Sequence, residues 1–372
     1  MSKYNVLYID DDASKHGLSQ IEPMIDTLEE NETLSIKPFQ SGPFDKISKK
    51  ILEVIGDYDA VIFDYQLDDR ANDDGETGNV KAPVLAQHLR TEATNTEKEI
   101  KDVPFILCST DDKLQKSYTA DHTSHDLFDL RFRKDKENFL TVSDQIVALI
   151  EGYDKIRKSK DLSDVLNTDL TSLDDRIFSR FINNPNAPAH ELARTILKDL
   201  IYIEGPLISE EILAARLGID RSSPDWNSLL KDFFFEAKFK GAFANGWNRW
   251  WMNLVNNIFK DLTGSNLASL DALERLEGIK VNTGLNLSVS ERIETCKSYR
   301  YWTLCKSFNK PLDPREGFRI AMKTEPKPWQ DYSYISKHGA VNRIGFDEGL
   351  DVHPSEYERY RLLIEELKNE KK

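Results

Sequence analysis

Asp10, Asp11 and Asp12 stand in a row directly after the apolar run of residues 4–9. Three adjacent carboxylates repel one another, and the stability of a buried strand end gives no reason to place them there. A bound divalent cation would relieve the repulsion. The plainer reading has one of them capping the helix that starts near Lys15 and the others solvated. Another carboxylate, Asp64, closes the apolar run of residues 60–63. Ligands of open α/β sheets gather at the carboxyl ends of strands, so Asp64 lies where chemistry is usually done. An Asp after a strand also serves as a turn former or helix cap. Two further apolar runs end in polar groups. Residues 103–108 lead into Ser109-Thr110, and residues 127–132 lead into Arg133-Lys134-Asp135.

The elements that must position these residues follow from hydrophobic periodicity. A helix over 15–30 is expected to be interrupted at Pro23. A strand over 34–39 precedes a helix over 44–55 with an apolar face at 44, 47, 51, 54 and 55. After the Asp64 strand comes a polar loop, 65–78, holding Asp68, Asp69, Asp73, Asp74 and Glu76. Helix 80–92 presents Val80, Val84, Leu85 and Leu89. A poorly marked helix follows the fourth strand, and a final amphipathic helix spans about 137–157. Strands alternating with helices through short links predict a parallel sheet wound on both faces, with all four strand ends on one edge.

In that order and at those strand ends, residues 1–157 resemble the receiver domain of two-component response regulators, a flavodoxin-like α/β fold. The resemblance implies that Asp10 and Asp11 bind Mg2+ and that Asp64 is the phosphoacceptor. Ser109 and Lys134 then match the hydroxyl and the lysine that end strands four and five. On this basis Asp10, Asp11, Asp64 and the backbone carbonyl of Gln66 hold Mg2+, which neutralises charge as the carboxylate meets a phosphoryl group. Lys134 takes a phosphoryl oxygen or pairs with Asp64, and Ser109 hydrogen-bonds a second oxygen. The sequence departs from the family in places. Asp68 replaces the usual Pro, the acidic loop is longer and carries Gly75 and Gly78, and Asp135 follows the lysine. Arg131 stands at the aromatic switch position, with Phe132 beside it.

The charged residues are unevenly distributed. Of 50 Lys+Arg and 64 Asp+Glu, residues 1–150 hold 17 and 30, so most of the net charge of −14 belongs to this part. An acidic chain can therefore still offer a neutral or basic surface further on. Cys108, Cys296 and Cys305 are odd in number and lack metal-ligand spacing, which argues against disulfides and structural zinc and for a reducing cytoplasm. No apolar run approaches a membrane span, and a strand begins too early for a signal peptide.

Beyond a charged linker at 158–172, residues 173–372 read as a mainly helical output domain. Ser209 as N-cap, Gly218 as stop and a second helix from about 224 to 235 resemble a helix-turn-helix over 209–235. Few basic residues stand near the second helix start, where DNA contact would call for them. The stretch from Gly205 to Trp251 also resembles a helical module attached to receivers in bacterial conflict-type operons. Its aromatics, Phe233 to Trp251, suit a core. Segment 297–343 interleaves ten Lys or Arg with eight Tyr, Trp or Phe, a composition that suits either nucleic acid or a solvated surface over core aromatics. The charged tail from Pro354 suits packing or self-association as a homodimer. No catalytic triad, phosphate-binding Gly loop or metal-ligand pair appears after 157, so no enzymatic output is expected. The expectation is a response regulator phosphorylated by a partner histidine kinase and acting on DNA or a protein target. The alternatives are an adaptor that docks without phosphorylation, or a nucleic-acid binder using 297–343.

Overall fold

The apolar runs that precede the candidate residues become strands of one sheet in a computed structural model. That structure describes residues 3–14, 17–30, 32–95, 100–110, 126–134, 137–159, 161–184 and 186–370. The strands are β1 (Tyr4–Asp10), β2 (Leu34–Gln40), β3 (Ala60–Asp64), β4 (Phe105–Ser109) and β5 (Leu130–Arg133). They pair in the order β2-β1-β3-β4-β5, all parallel. This is the flavodoxin-like doubly wound order. Every residue of β3 and β4 is buried, as a strand covered on both faces requires. The register aligns Ile9 with Phe63, Asp64 with Cys108, and Ser109 with Arg133. Asp10, Asp64, Ser109 and Lys134 therefore share one edge to within a residue.

The helices are α1 (Leu18–Glu29), α2 (Phe44–Val54), α3 (Ala82–Ala93) and α4 (Phe139–Lys158). Pro23 does not interrupt α1. It lies on the exposed side, where the Ser19 carbonyl that loses its N–H donor is open to water, while Ile21, Met24, Ile25 and Leu28 bury the opposite face. The weak helix expected after β4, together with Asp135, falls outside the described residues. Asn138 caps α4, its side chain accepting from the Leu140 N–H.

Two compact units emerge. The first comprises Met1–Thr171, Asp175–Leu197 and Lys240–Trp247; the second comprises Ser172–Asp174, Lys198–Phe239 and Asn248–Lys372. Residues 158–172 carry a short helix, Leu162–Leu166, with Val165 and Leu166 buried. Within the first unit, Phe243 lies against Gly152 of α4, where any Cβ would meet the Phe243 ring at 2.2 Å. Phe243 itself sits at φ 73, a left-handed conformation costly for an aromatic residue and sustained by this packing.

The second unit is helical with two small sheets. Ser209 and Gly218 bound the helix Glu210–Leu217 as the sequence suggested, with Gly218 left-handed at φ 78. The following helix, Trp226–Asp232, is short, and Trp226 and Leu229 are buried in it. Strands Leu207–Ser209 and Arg249–Trp251 pair antiparallel. Segment 297–343 forms a four-stranded sheet of Thr303–Cys305, Lys310–Leu312, Gly317–Arg319 and Tyr334–Ser336. Helical periodicity could not reveal these strands, since each is only three residues long. Phe318 is fully buried there, and Tyr360 and Leu363 of the C-terminal helix pack on the same core; Tyr301 is fully buried as well. All three cysteines are free and buried. Among the described residues no helix is long and apolar enough to cross a membrane.

Candidate phosphoacceptor site

The end of β1 delivers Asp10, 1% exposed, and the turn after it delivers Asp11, 7% exposed. Asp10 is fixed at both oxygens. Its Oδ1 accepts the Asp12 N–H at 2.8 Å, and its Oδ2 accepts from the Tyr8 hydroxyl and from Lys134 Nζ, the latter at 2.8 Å. Tyr8 precedes Asp10 by two residues on the same strand, so the pleat aims both side chains to one face. Sequence reading passed over Tyr8, although the period of two was there to use.

At the end of β3, Asp64 Oδ1 lies 2.8 Å from Lys134 Nζ, and its Oδ2 accepts the Gln66 N–H at 2.8 Å. The lysine ammonium thus bridges the Asp10 and Asp64 carboxylates. Lys134 is positioned through its own backbone N–H, which donates to the Ser109 carbonyl at 2.9 Å. Ser109 is wholly buried, and its hydroxyl has no hydrogen-bond partner among the described residues. A buried hydroxyl left without a partner costs about 1–3 kcal/mol. Gln66 is half-buried; its side chain reaches Asp68.

Electrostatics follow from the crowding. Burial pushes the Asp64 carboxyl up to about 6; Lys134 opposes the shift and Asp10 adds to it. Burial likewise pushes Asp11 up to about 6, with Asp10 and Asp12 adding. Burial alone would lower Lys134, but Asp64 foremost, with Asp10, holds its ammonium above the usual lysine range. Carboxylate oxygens of Asp10, Asp11 and Asp12 lie within 4.8 Å of one another. An all-oxygen, acid-rich set of this kind fits a hard divalent cation, which would relieve the repulsion that raises Asp11.

The acidic loop after β3 is a folded hairpin. Ala71 bridges Thr77, the Asn72 side chain accepts the N–H groups of Asp74 and Glu76, and Gly75 takes φ 78. Gly78 is required where it stands, because a Cβ there would meet the Leu67 carbonyl at 2.0 Å. The hairpin caps the acid cluster. Asp11 Oδ2 accepts the N–H groups of Asp69 and Arg70 at 3.0 and 2.9 Å, and the Arg70 guanidinium pairs with Asp12. Arg131 is exposed, while Phe132 is buried and packs edge-on to Phe139 with 6.2 Å between centroids.

No family model matches the chain, and no curated protein matches it. Among solved structures, it is similar to a response regulator receiver domain protein from Clostridium thermocellum at 18% identity, covering 40% of this chain and 94% of that one with a TM-score of 0.27. It is also similar to RcsB from Salmonella enterica serovar Typhimurium, solved on the promoter rprA with the phosphomimetic BeF3−, at 10% identity, 52% and 87% coverage and a TM-score of 0.25.

Proposed function

We propose that the first unit is the receiver of a response regulator and that Asp64 accepts a phosphoryl group from the phosphohistidine of a partner histidine kinase. The observation that carries this reading is the Lys134 ammonium held 2.8 Å from both Asp10 and Asp64 at the carboxyl edge of the sheet. In the transfer, an Asp64 oxygen forms the new bond to phosphorus as the bond to the histidine nitrogen breaks. Lys134 then leaves Asp64 for a phosphoryl oxygen, and the unpartnered Ser109 hydroxyl donates to another. Asp10, Asp11, Asp64 and the Gln66 carbonyl would hold Mg2+, which supplies charge neutralisation between carboxylate and phosphoryl oxygens. The reading places the protein in the cytoplasm, with the second unit delivering the output.

For that output, a protein target is favoured over duplex reading by residues 209–235. The helix Trp226–Asp232 buries Trp226 and Leu229 and begins beside Asp225. In segment 297–343, Lys310 pairs with Glu291 at 2.8 Å and Lys327 with Asp199 at 2.6 Å, so part of the basic charge is spent within the fold.

The test is beryllofluoride with Mg2+. Expected is saturable binding by the wild-type chain, seen as a thermal shift, and its loss in Asp64→Asn. Absence of binding by the wild type would sink the proposal and leave the adaptor that docks without phosphorylation. Two features favour that second reading: Asp11 is capped by the hairpin, and an exposed Arg131 replaces the aromatic switch. The effect of the hairpin on the cation site is tested by Arg70→Ala. Removing a half-exposed ion pair frees about 0.2–1 kcal/mol, so Mg2+ affinity measured by titration calorimetry should rise up to about fivefold. A fall in affinity would show that the hairpin supports the cation site instead of competing with it.

A further inference from the structure

The second unit contains a cavity of about 520 Å³ that the receiver reading does not use. That volume lies within the range of small-molecule sites. Its wall carries two arginines, Arg216 from the helix Glu210–Leu217 and Arg249 from the strand beside it. The Arg216 side chain is 5% exposed. Its Nε donates to the Trp302 carbonyl at 3.1 Å, its guanidinium lies 4.7 Å from the Trp302 ring centre, and Nη2 reaches Asp331 at 2.6 Å. The Arg249 side chain is 12% exposed. Nη1 reaches Glu204 at 3.0 Å, while the buried Nε has no hydrogen-bond partner among the described residues.

A third guanidinium stands behind these two. Arg275, 1% exposed, donates to the carbonyls of Leu267, Arg216 and Tyr301, and its guanidinium lies 5.7 Å from the Trp302 ring centre. Burial holds it below the usual arginine range at about 10, with Asp271 opposing and Arg300 and Arg216 adding. The balance of burial is uneven. The three cations are nearly sequestered, whereas the carboxylates that answer two of them are wetter, Asp331 at 43% and Glu204 at 28% side-chain exposure. Buried charge demands close compensation, and a partly solvated carboxylate gives it less well than a ligand enclosed in the same cavity.

We propose that this cavity binds a small organic anion, whose carboxylate or phosphate group is taken by the guanidinium groups of Arg216 and Arg249. The anion displaces Asp331 from Arg216 towards solvent, where that side chain already lies in part. Planar guanidinium forks suit both oxyanions, so the two are separated by experiment.

The test uses the full chain and two anions, AMP and benzoate, each against its neutral counterpart, adenosine and benzamide, by titration calorimetry. Expected is saturable binding of at least one anion, tighter than its counterpart by about tenfold or more. AMP binding with benzoate silent assigns phosphate, and the reverse assigns carboxylate. Arg249→Met should weaken the binding anion about tenfold, and Asp331→Asn should tighten it about threefold or more by freeing Arg216. The opposite signs keep the test decisive if one variant folds poorly. No saturation by either anion up to about 10 mM, equal binding by the neutral counterpart, or an Asp331→Asn variant that binds no tighter than wild type would each overturn the proposal.

Discussion

Arg90→Met is expected to destabilise the first unit by about 3–5 kcal/mol, the cost of leaving a buried carboxylate without its cation. Arg90 is 5% exposed near the end of α3 and lies over the Phe105 ring at 3.8 Å. Nη1 donates to Asp102 at 2.7 Å and to the Val103 carbonyl at 2.9 Å; Nη2 donates to Asp129 at 2.9 Å. Asp129 also accepts the Phe105 N–H at 2.8 Å and the Tyr153 hydroxyl at 2.9 Å. One guanidinium thus ties α3, the entries to β4 and β5, and α4 at the sheet edge opposite Asp64. Burial pushes Asp129 up, with Arg90 opposing, so loss of Arg90 would push it further. Asp102 is held below the usual carboxylate range: burial would raise it, but His190 and Arg90 outweigh that. Hydrogen exchange at the Phe105 and Asp129 amides under rising urea measures the loss. Adding Asp129→Asn to Arg90→Met should restore part of it, because Asn still accepts the Phe105 N–H and carries no charge. Full stability of Arg90→Met alone would mean that the guanidinium only packs.

This knot was invisible in the sequence, and the reason is instructive beside what was visible. Asp10, Asp64, Ser109 and Lys134 could be found because each ends an apolar run, and a parallel sheet brings all its strand ends to one edge whatever the loops do. Asp102, Asp129 and Arg90 sit before strands or inside a helix, positions where charged residues are normally solvated. Only the fold shows that they are sequestered together. His190 is similar: no residue near it in the chain marks a partner, yet its N–H and ring Nδ1 both meet Asp102, at 2.8 and 2.9 Å. The hairpin over Asp11 was hidden because its order rests on side-chain turns, such as that of Asn72, and on a single bridge, without a periodic pattern. The same limit explains segment 297–343. Basic and aromatic residues alternate there because the strand Gly317–Arg319 buries Phe318, and Tyr301 is buried just before another strand, beside exposed Lys306 and Arg315, a pattern that composition cannot distinguish from a stacking surface.

Asp64→Asn is expected to raise stability at pH 7.5 and to do so in a pH-dependent way. The Asp64 carboxyl is held at about 6 in the folded chain, against an ordinary value of 3.8. Between those values the folded state keeps a proton that the unfolded chain has released, so stability falls as pH rises through the window and the deficit is complete above about pH 6. The difference between those values, at 1.36 kcal/mol per pH unit, sets an upper figure of about 2.7 kcal/mol, and coupling to Lys134 and Asp10 reduces it, leaving a gain of about 1–2 kcal/mol for the variant at pH 7.5 and less than about 1 at pH 4. Asn retains an oxygen for the Gln66 N–H, and Lys134 keeps Asp10, so the substitution opens no new unpaired charge. Urea unfolding in EDTA at the two pH values measures the difference. Mg2+ should then narrow the gap at pH 7.5 by stabilising the wild type, by about 1.4 kcal/mol at ten times its dissociation constant, with a smaller response from the variant. A variant less stable than wild type at pH 7.5 without metal would show that Lys134 more than repays the burial of Asp64, and the carboxylate would then be a structural ion pair and not a poised acceptor.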